Sequence, residues 1–484
     1  MQVSLSPPDH IPPPNYVVLA YYLPLKKEAG AYETFALLQK GLRKTFVDLP
    51  WLNGKVYRMP SDAPGYRPGQ LEIRYSPVDP EGEGDLHQLG FSEPNTELTY
   101  ADLEEAGFPV DAFTDDELFW APFWADLDAG ADVLAAQATF IPGACILTMS
   151  TCHSASDGTG MVAILKRWAS HCVEGVDRPD PPAAADSDRT VLDRIWEREW
   201  NRRPASEIVP AAWHMVGLQP PSEKKATAEN ANIAPSTPPP APIQVPQGQH
   251  QISSTFYVTV ENFKALQEEC GPEVSGNDAI CALIWRSVLK ARTTARRPTA
   301  SLDAIVSELV LTVDGRPEFS PDLPPGYLGN LVLGSVPTAS LASLAGPDDG
   351  TRLSVAAVAR LIRDKSRTIH HDNIMDAYAV LRGVEDYGMI TLPFTSVEGS
   401  SMLITSLMMM PVDEVCFGGN SLFENGGHVA ACRPLMGGFN RLFRIALVLP
   451  RKRRDGVEFC VSLYEDEMEL LLDDQEFGLF ASQV

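Results

Sequence analysis

At 484 residues the chain exceeds one ordinary hydrophobic core, so two or three domains are expected. Its 44% hydrophobic content is that of a globular protein, and 64 acids against 39 bases leave a formal charge of −25. That charge argues against nucleic acid or an anionic membrane as the main partner, and an anionic co-substrate would need a local basic pocket.

Met1 to Pro14 carries prolines and no basic-plus-apolar segment, so no secretory leader is read there. A strand is expected over Tyr16 to Leu25, then a helix from about Tyr32 with Phe35, Leu38, Leu42 and Phe46 on one face, ending at Leu49-Pro50. From Gly54 to about Pro122 the chain reads as charged and irregular, with one strand at Gln70 to Tyr75. Val133 to Phe140 and Cys145 to Cys152 read as successive strands. They lead into His153-Ser154-Ala155-Ser156-Asp157-Gly158 and a helix apolar at Met161, Ile164, Leu165 and Trp168. Helical signal continues from Arg189 to Arg203.

Pro-Pro and Pro-Pro-Pro runs between 220 and 246 mark a linker, placed at 206–250 between domains 1–205 and 251–484. Beyond it, Gln251 to Val260 alternates like a strand and Glu261 to Cys270 reads as a short helix. Ser275-Gly276-Asn277-Asp278 signals the start of a helix running to Ala291. Strands at Ala304 to Val313, Leu331 to Pro337, Arg444 to Pro450 and Val457 to Tyr464 follow. A helix over Val355 to Ile369 and a last one at Glu465 to Leu472 complete the chain. Interleaved strands and helices in both halves give an α/β class with two domains. No apolar run approaches a bilayer span. The eight cysteines (145, 152, 172, 270, 281, 416, 432, 460) form no CxxC pair and lie mostly in apolar contexts, as expected of reduced thiols in a cytoplasmic protein.

A histidine between a strand and a helix sits where side chains project from a rigid frame into a cleft, and its pKa suits a general base. Alone, HxxxD is a loose pattern. Downstream, however, come Asp314-Gly315-Arg316 and Leu323-Pro324-Pro325-Gly326-Tyr327-Leu328-Gly329-Asn330. With them go Leu5-Ser6-Pro7-Pro8-Asp9, Leu49-Pro50-Trp51-Leu52-Asn53-Gly54, Val274 to Arg292 and Thr405-Ser406. In order and spacing this set resembles the BAHD acyltransferases, in particular their fungal, trichothecene 3-O-acetyltransferase-like branch.

The resemblance implies two chloramphenicol-acetyltransferase-like domains, with mixed sheets flanked by helices and an active-site channel between them. An acyl-CoA, with acetyl-CoA first, is implied as co-substrate, and a small alcohol as acceptor. No permanently bound cofactor and no metal are implied; His370-His371-Asp372 is rejected as a metal site because adjacent histidines do not share a helix face. His153 is expected as the base. Asp157 is expected to cap the following helix and pair with Arg316, locking the loop, rather than to act as a triad acid. Arg316 and Asn330 are expected as structural support.

Thr405, Ser406 and backbone donors near Gly418 are candidates for contact with substrate and the oxyanion. Arg286 and Lys290, in the densest basic run before Arg451 to Arg454, are candidates for CoA, with a solvated helix face as the competing reading. Ser154 and Ser156 lack a GxSxG elbow and read as spacers, and Cys152 as a core thiol. One departure stands out: Cys416-Phe417-Gly418 replaces the family's Asp-Phe-Gly, and a neutral thiol does not supply a carboxylate's charge, although Asp413 or Glu414 lies near enough in sequence to compensate. It motivates an alternative, a non-transferring member that binds or cyclises a polyketide or terpenoid without CoA. A peptide-forming condensation domain fits less well, since Cys152 stands where HHxxxDG has its first histidine. A monomer is expected.

Overall fold

The structure is a computed structural model and describes residues 1–173, 184–220, 250–298, 300–347, 350–390, 399–419, 422–451 and 456–484. In chain order the principal elements of the first half are Leu19–Pro24 (β1), Ala31–Asp48 (α1), Leu89–Ser92 (β2), Leu134–Ile141 (β3), Ala144–Thr151 (β4) and Gly158–Cys172 (α2). β3 and β4 form a hairpin across Pro142-Gly143, and Gly143 turns there at φ +87°, a conformation a side chain would resist. Every residue of both strands is buried, which explains their nearly continuous apolar sequence. α1 buries Leu38, Leu42 and Phe46, four residues apart, and α2 buries Met161, Ile164, Leu165 and Trp168, the i, i+3, i+4, i+7 positions of one helix face. The helices approach closely because Gly41 has no Cβ; one there would overlap Cys172 Sγ. Trp168 Nε1 donates to the Leu38 carbonyl at 2.9 Å, so its buried N–H is satisfied.

The second half contains Gln251–Val258 (β5), Gly276–Arg296 (α3), Val306–Asp314 (β6), Val332–Ser335 (β7) and Thr338–Ser340 (β8). It continues with Val355–Ser366 (α4), His371–Arg382 (α5), Met402–Ser406 (β9), Ala431–Pro434 (β10), Ile445–Val448 (β11), Val457–Tyr464 (β12), Glu465–Leu472 (α6) and Ser482–Gln483 (β13). An eight-stranded sheet runs β7-β6-β9-β11-β12-β5-β13, with β8 also on β6. β6, β9 and β11 are parallel and the other pairings antiparallel, so the sheet is mixed. α3 starts with a capping box in which Ser275 Oγ accepts from the Asp278 amide and Asp278 accepts from Ser275. A four-stranded sheet of Gln2–Ser4, Leu71–Arg74, Lys55–Arg58 and Ala131–Asp132 lies apart from both larger ones.

The halves exchange pieces. The five-stranded sheet of the first half runs β10-β1-β4-β3-β2, so a strand from the second half completes it, with Cys432 opposite Tyr21. Phe417, Phe423, Leu435 and Phe439 join that sheet's core. In return Leu192, Ile195, Met215 and Val216 pack with Phe319, Leu331, Tyr378 and Leu381.

Two stretches differ from the sequence reading. The region expected to be irregular, from Gly54, holds the strands Lys55–Arg58 and Leu89–Ser92 and the short helices Tyr100–Glu105 and Asp115–Leu118, all too short to show periodicity. The helix expected over Val355 to Ile369 ends at Ser366, and α5 follows from His371. Most of the 206–250 linker, residues 221–249, lies outside the described residues, as do residues 452–454 of the second basic run. Among the described residues no helix is long and apolar enough to cross a membrane.

Candidate active site

β4 ends at Thr151, Cys152 bridges to Tyr16, and the chain turns through 153–157 into α2. The His153 amide donates to the Asn15 carbonyl at 2.9 Å, and the His153 carbonyl accepts from Asn330 Nδ2 at 2.8 Å. The backbone on both sides of the imidazole is therefore fixed. His153 Nδ1 is enclosed and has no hydrogen-bond partner, while the residue lines a cavity of about 460 Å³. Burial holds its pKa below the ordinary histidine value, against its own backbone carbonyl, the Asp157 charge and Asn330, which favour the protonated ring. The ring is thus neutral at neutral pH, the state that accepts a proton.

Asp157 is the N-cap of α2 and accepts from the Gly160 amide at 3.1 Å. Its Oδ1 also pairs with Arg316 Nη2 at 2.9 Å, and its Oδ2 accepts from the Leu331 amide at 3.0 Å. Burial pushes its pKa up, but the Arg316 charge and these hydrogen bonds outweigh it and hold the carboxyl below its usual range. Arg316 also binds Asp314 at 2.8 Å and the carbonyls of Tyr327 and Gly329. Both carboxylate oxygens are occupied in the lock, so Asp157 is placed as a cap and anchor.

A second brace, which sequence reasoning missed, starts from Asp9. This fully buried carboxylate accepts from the Ser6 amide, from the Asn330 amide and Nδ2 (2.9 and 3.0 Å) and from Arg189 Nη1 (3.2 Å). Arg189 then donates to the Ala155 carbonyl at 2.6 Å and lies 5.0 Å over the Trp51 ring. The loop is therefore held at residues 153, 155 and 157 by three separate donors. Asp9 and Trp51 stood inside recognised motifs, but nothing in local spacing pointed to their partners.

The cavity wall comes from both halves: Val17, Leu19, Thr151, His153 and Val162 on one side, Thr312, Leu403, Thr405, Ser406, Phe439 and Leu447 on the other. Thr405 and Ser406 thus share the cavity with His153, at the end of β9. Ser156 lines it too, with Oγ donating to the Leu328 carbonyl at 2.7 Å, whereas Ser154 Oγ is buried away from it without a partner. Cys152 lies in the core, its thiol pushed up to about 12 by burial, and is no nucleophile. A second, more open depression beside Met1, Lys55 and Arg74 contains none of these residues.

Three expected site residues lie elsewhere. Gly418, at φ +89°, packs against Val173 and Gly427 and does not line the cavity. Arg286 is buried, tied to Glu476 at 2.8 Å and to the Leu353 carbonyl, and Lys290 is tied to Asp474 at 2.8 Å. Their cations are spent inside the second half, because the acids of 474–476 fold back onto α3, and neither residue lines the cavity. Around Gly418, Phe417 is buried against Phe423, Cys416 Sγ donates to the Gly426 carbonyl at 3.2 Å, and Glu414 pairs with Lys166 of α2. The replaced aspartate position therefore belongs to loop packing.

Residues 91–478 match the family model described as Transferase family. An isocyanide synthase-NRPS hybrid of Aspergillus fumigatus is 28% identical over 99% of this chain, and the chain spans only 31% of that protein and 51% of a second relative. The trichothecene 8-O-acetyltransferase of Fusarium sporotrichioides is 25% identical, with 98% of this chain and 96% of the relative covered. The structure of F. sporotrichioides TRI101 complexed with coenzyme A and T-2 superposes with a TM-score of 0.75 at 19% identity, covering 100% of this chain and 99% of that one. The mixed two-domain α/β fold is shared with it. By the extent of the family-model match, the chain belongs to the Transferase family of BAHD acyltransferases.

Proposed function

We propose that the chain is an acyl-CoA-dependent O-acyltransferase, most directly an O-acetyltransferase, acting on a hydroxyl of a secondary metabolite. The observation that carries this reading is a neutral His153 on the wall of a cavity built by both halves, braced from Asp9, Asn330, Arg189 and Arg316. With Nδ1 enclosed, the Nε2 edge is the one left for substrate.

In this reading the acceptor and the thioester occupy the cavity together. His153 takes the hydroxyl proton as the oxygen attacks the thioester carbonyl, a C–O bond forms, and the carbonyl oxygen becomes an oxyanion. The hydroxyls of Thr405 and Ser406 are the donors proposed for that oxyanion. Collapse breaks the C–S bond, and the imidazolium returns its proton to the departing thiolate. The products are an ester and free CoA. A positioned base of this kind contributes ~10²–10⁴ in rate. Both walls come from one chain, which supports a monomer as the working unit. Because Gly418 and Cys416 stand apart from the cavity wall, the altered loop gives little support to a non-transferring member.

The test is release of free thiol from acetyl-CoA on adding an alcohol panel. Purified protein is expected to release thiol with at least one acceptor, and His153→Ala to abolish release while keeping its circular dichroism and melting midpoint. Absence of thiol across a panel of acyl-CoAs and acceptors would overturn the reading.

A further inference from the structure

Among the described residues that line the cavity, Lys166 is the only lysine or arginine. Arg286 and Lys290, the cations expected for CoA, are tied to Glu476 and Asp474 inside the second half. A chain of net charge −25 repels an anionic co-substrate at long range, so a cation at the cavity's entrance carries weight. Lys166 has that place. Thr159, Ala163 and Lys166 stand at i, i+4 and i+7 on α2, and all three line the cavity. They form a track of small side chains that begins at the His153 turn and runs outward over about 12 Å of helix, from Gly158 to Lys166. Met410 and Leu407 lie against Gly158 from the second half, and Met409, also on the wall, is 88% exposed, which marks where the cavity meets solvent. The Lys166 side chain is itself 38% exposed and is paired at 2.5 Å with Glu414, 57% exposed. An ion pair so open to water is held weakly, and a phosphate brings more charge than the carboxylate it would displace.

Resting on the acyltransferase reading above, we propose that Lys166 receives the phosphates of the acyl-CoA and sets a preference for CoA over phosphate-free thioesters. The pantetheine arm lies along the small face of α2, with the thioester at His153 and the phosphates at the entrance. When the co-substrate arrives, the ammonium leaves Glu414 for phosphate oxygens, which a lysine binds as a point charge. Glu414 positions the cation in the empty enzyme and opposes the anion once it is bound.

The experiment measures free-thiol release from acetyl-CoA and from acetyl-pantetheine, which carries the same arm and thioester without phosphate, using one neutral alcohol as acceptor. The readout is the ratio of the two kcat/KM values, acetyl-CoA over acetyl-pantetheine, which is independent of a variant's active fraction. The wild-type ratio is expected to lie well above one and to fall as salt is added. Lys166→Met is expected to lower it roughly three- to thirtyfold, between the loss of an exposed ion pair and that of a charged hydrogen bond. Lys166→Arg keeps the charge and should stay close to the wild type, while Glu414→Gln should keep or raise the ratio. A wild-type ratio near one, or an unchanged ratio in Lys166→Met, overturns the proposal. So does an equal fall in Glu414→Gln, which would mark the pair as a clasp between the halves. No thiol release from either donor by the wild-type protein would instead sink the acyltransferase reading beneath it.

Discussion

His153 combines a fixed backbone with a ring whose pKa burial lowers, and the sign of that shift sets its pH behaviour. The base works when neutral, so the acid limb of kcat/KM should lie below the ordinary histidine value of about 6.5. A titration of kcat/KM placing the limb above that value would contradict the burial argument. The same group affects stability: it binds protons less readily folded than unfolded, so its stabilising contribution is present above about pH 6.5 and declines as pH falls below it. Asp157 has a lowered pKa too, and for a carboxylate this stabilises above about pH 4, with loss as pH falls through the folded value. Asp157→Asn keeps an N-cap but leaves Arg316 with Asp314 as its remaining carboxylate, so we expect a loss of roughly 3 kcal/mol in urea unfolding. If Asp157 only anchors the loop, the variant's residual activity should keep the wild-type pH profile; a shifted limb would argue for a dyad. The pairing of Asp157 with Arg316 was legible because both stand in spaced motifs. Asp9, Arg189 and Asn15 were not, since each acts through residues distant in sequence and carries no local periodicity.

At the scale of elements, the long periodic segments were readable: α1, α2, α3, the β3–β4 hairpin and β12 fall close to where their apolar spacing puts them. Of the four-residue strands in the first half, Leu71–Arg74 was readable, but Lys55–Arg58 and Leu89–Ser92 escaped, because two inward side chains do not make a period. The distance of Arg286 and Lys290 from the cavity was not legible for a related reason. Sequence shows that Arg286 and Lys290 lie near each other, but not that α3 is packed beside Asp474 and Glu476. The start of α2 is where an element bears most directly on the site. A Cβ on Gly160 would overlap Ser156 Oγ and stand 2.9 Å from the Leu328 carbonyl oxygen, which is backbone and yields little. Gly160→Ala is therefore expected to cost roughly 1–3 kcal/mol by overpacking and to lower thiol release by displacing the 153–157 turn. Unaltered melting and activity would show that the contact relaxes without consequence.

For the whole molecule, the exchange between halves decides what folds by itself. Without β10, the N-terminal sheet presents β1 as an open edge, and the core around Phe417, Phe423 and Phe439 is lost. We expect residues 1–205 expressed alone to be insoluble, and co-expression with 251–484 to recover a soluble, thiol-releasing complex. A monomeric, cooperatively melting 1–205 fragment would refute this. Arg433 reinforces the junction, donating to the Gly107 and Phe108 carbonyls and pairing with Glu458 at 2.9 Å. That a strand from 431–434 crosses to the other half was not visible from a segment so short, with no partner in its own neighbourhood.

This crossing also has a meaning in time. During synthesis β1 leaves the ribosome long before its edge partner at 431–434 has been made. The N-terminal sheet must wait, collapsed but unfinished, through translation of the second half. Such a nascent chain is a natural client for chaperones, and its yield should depend on translation speed and temperature more than on the stability of the finished protein.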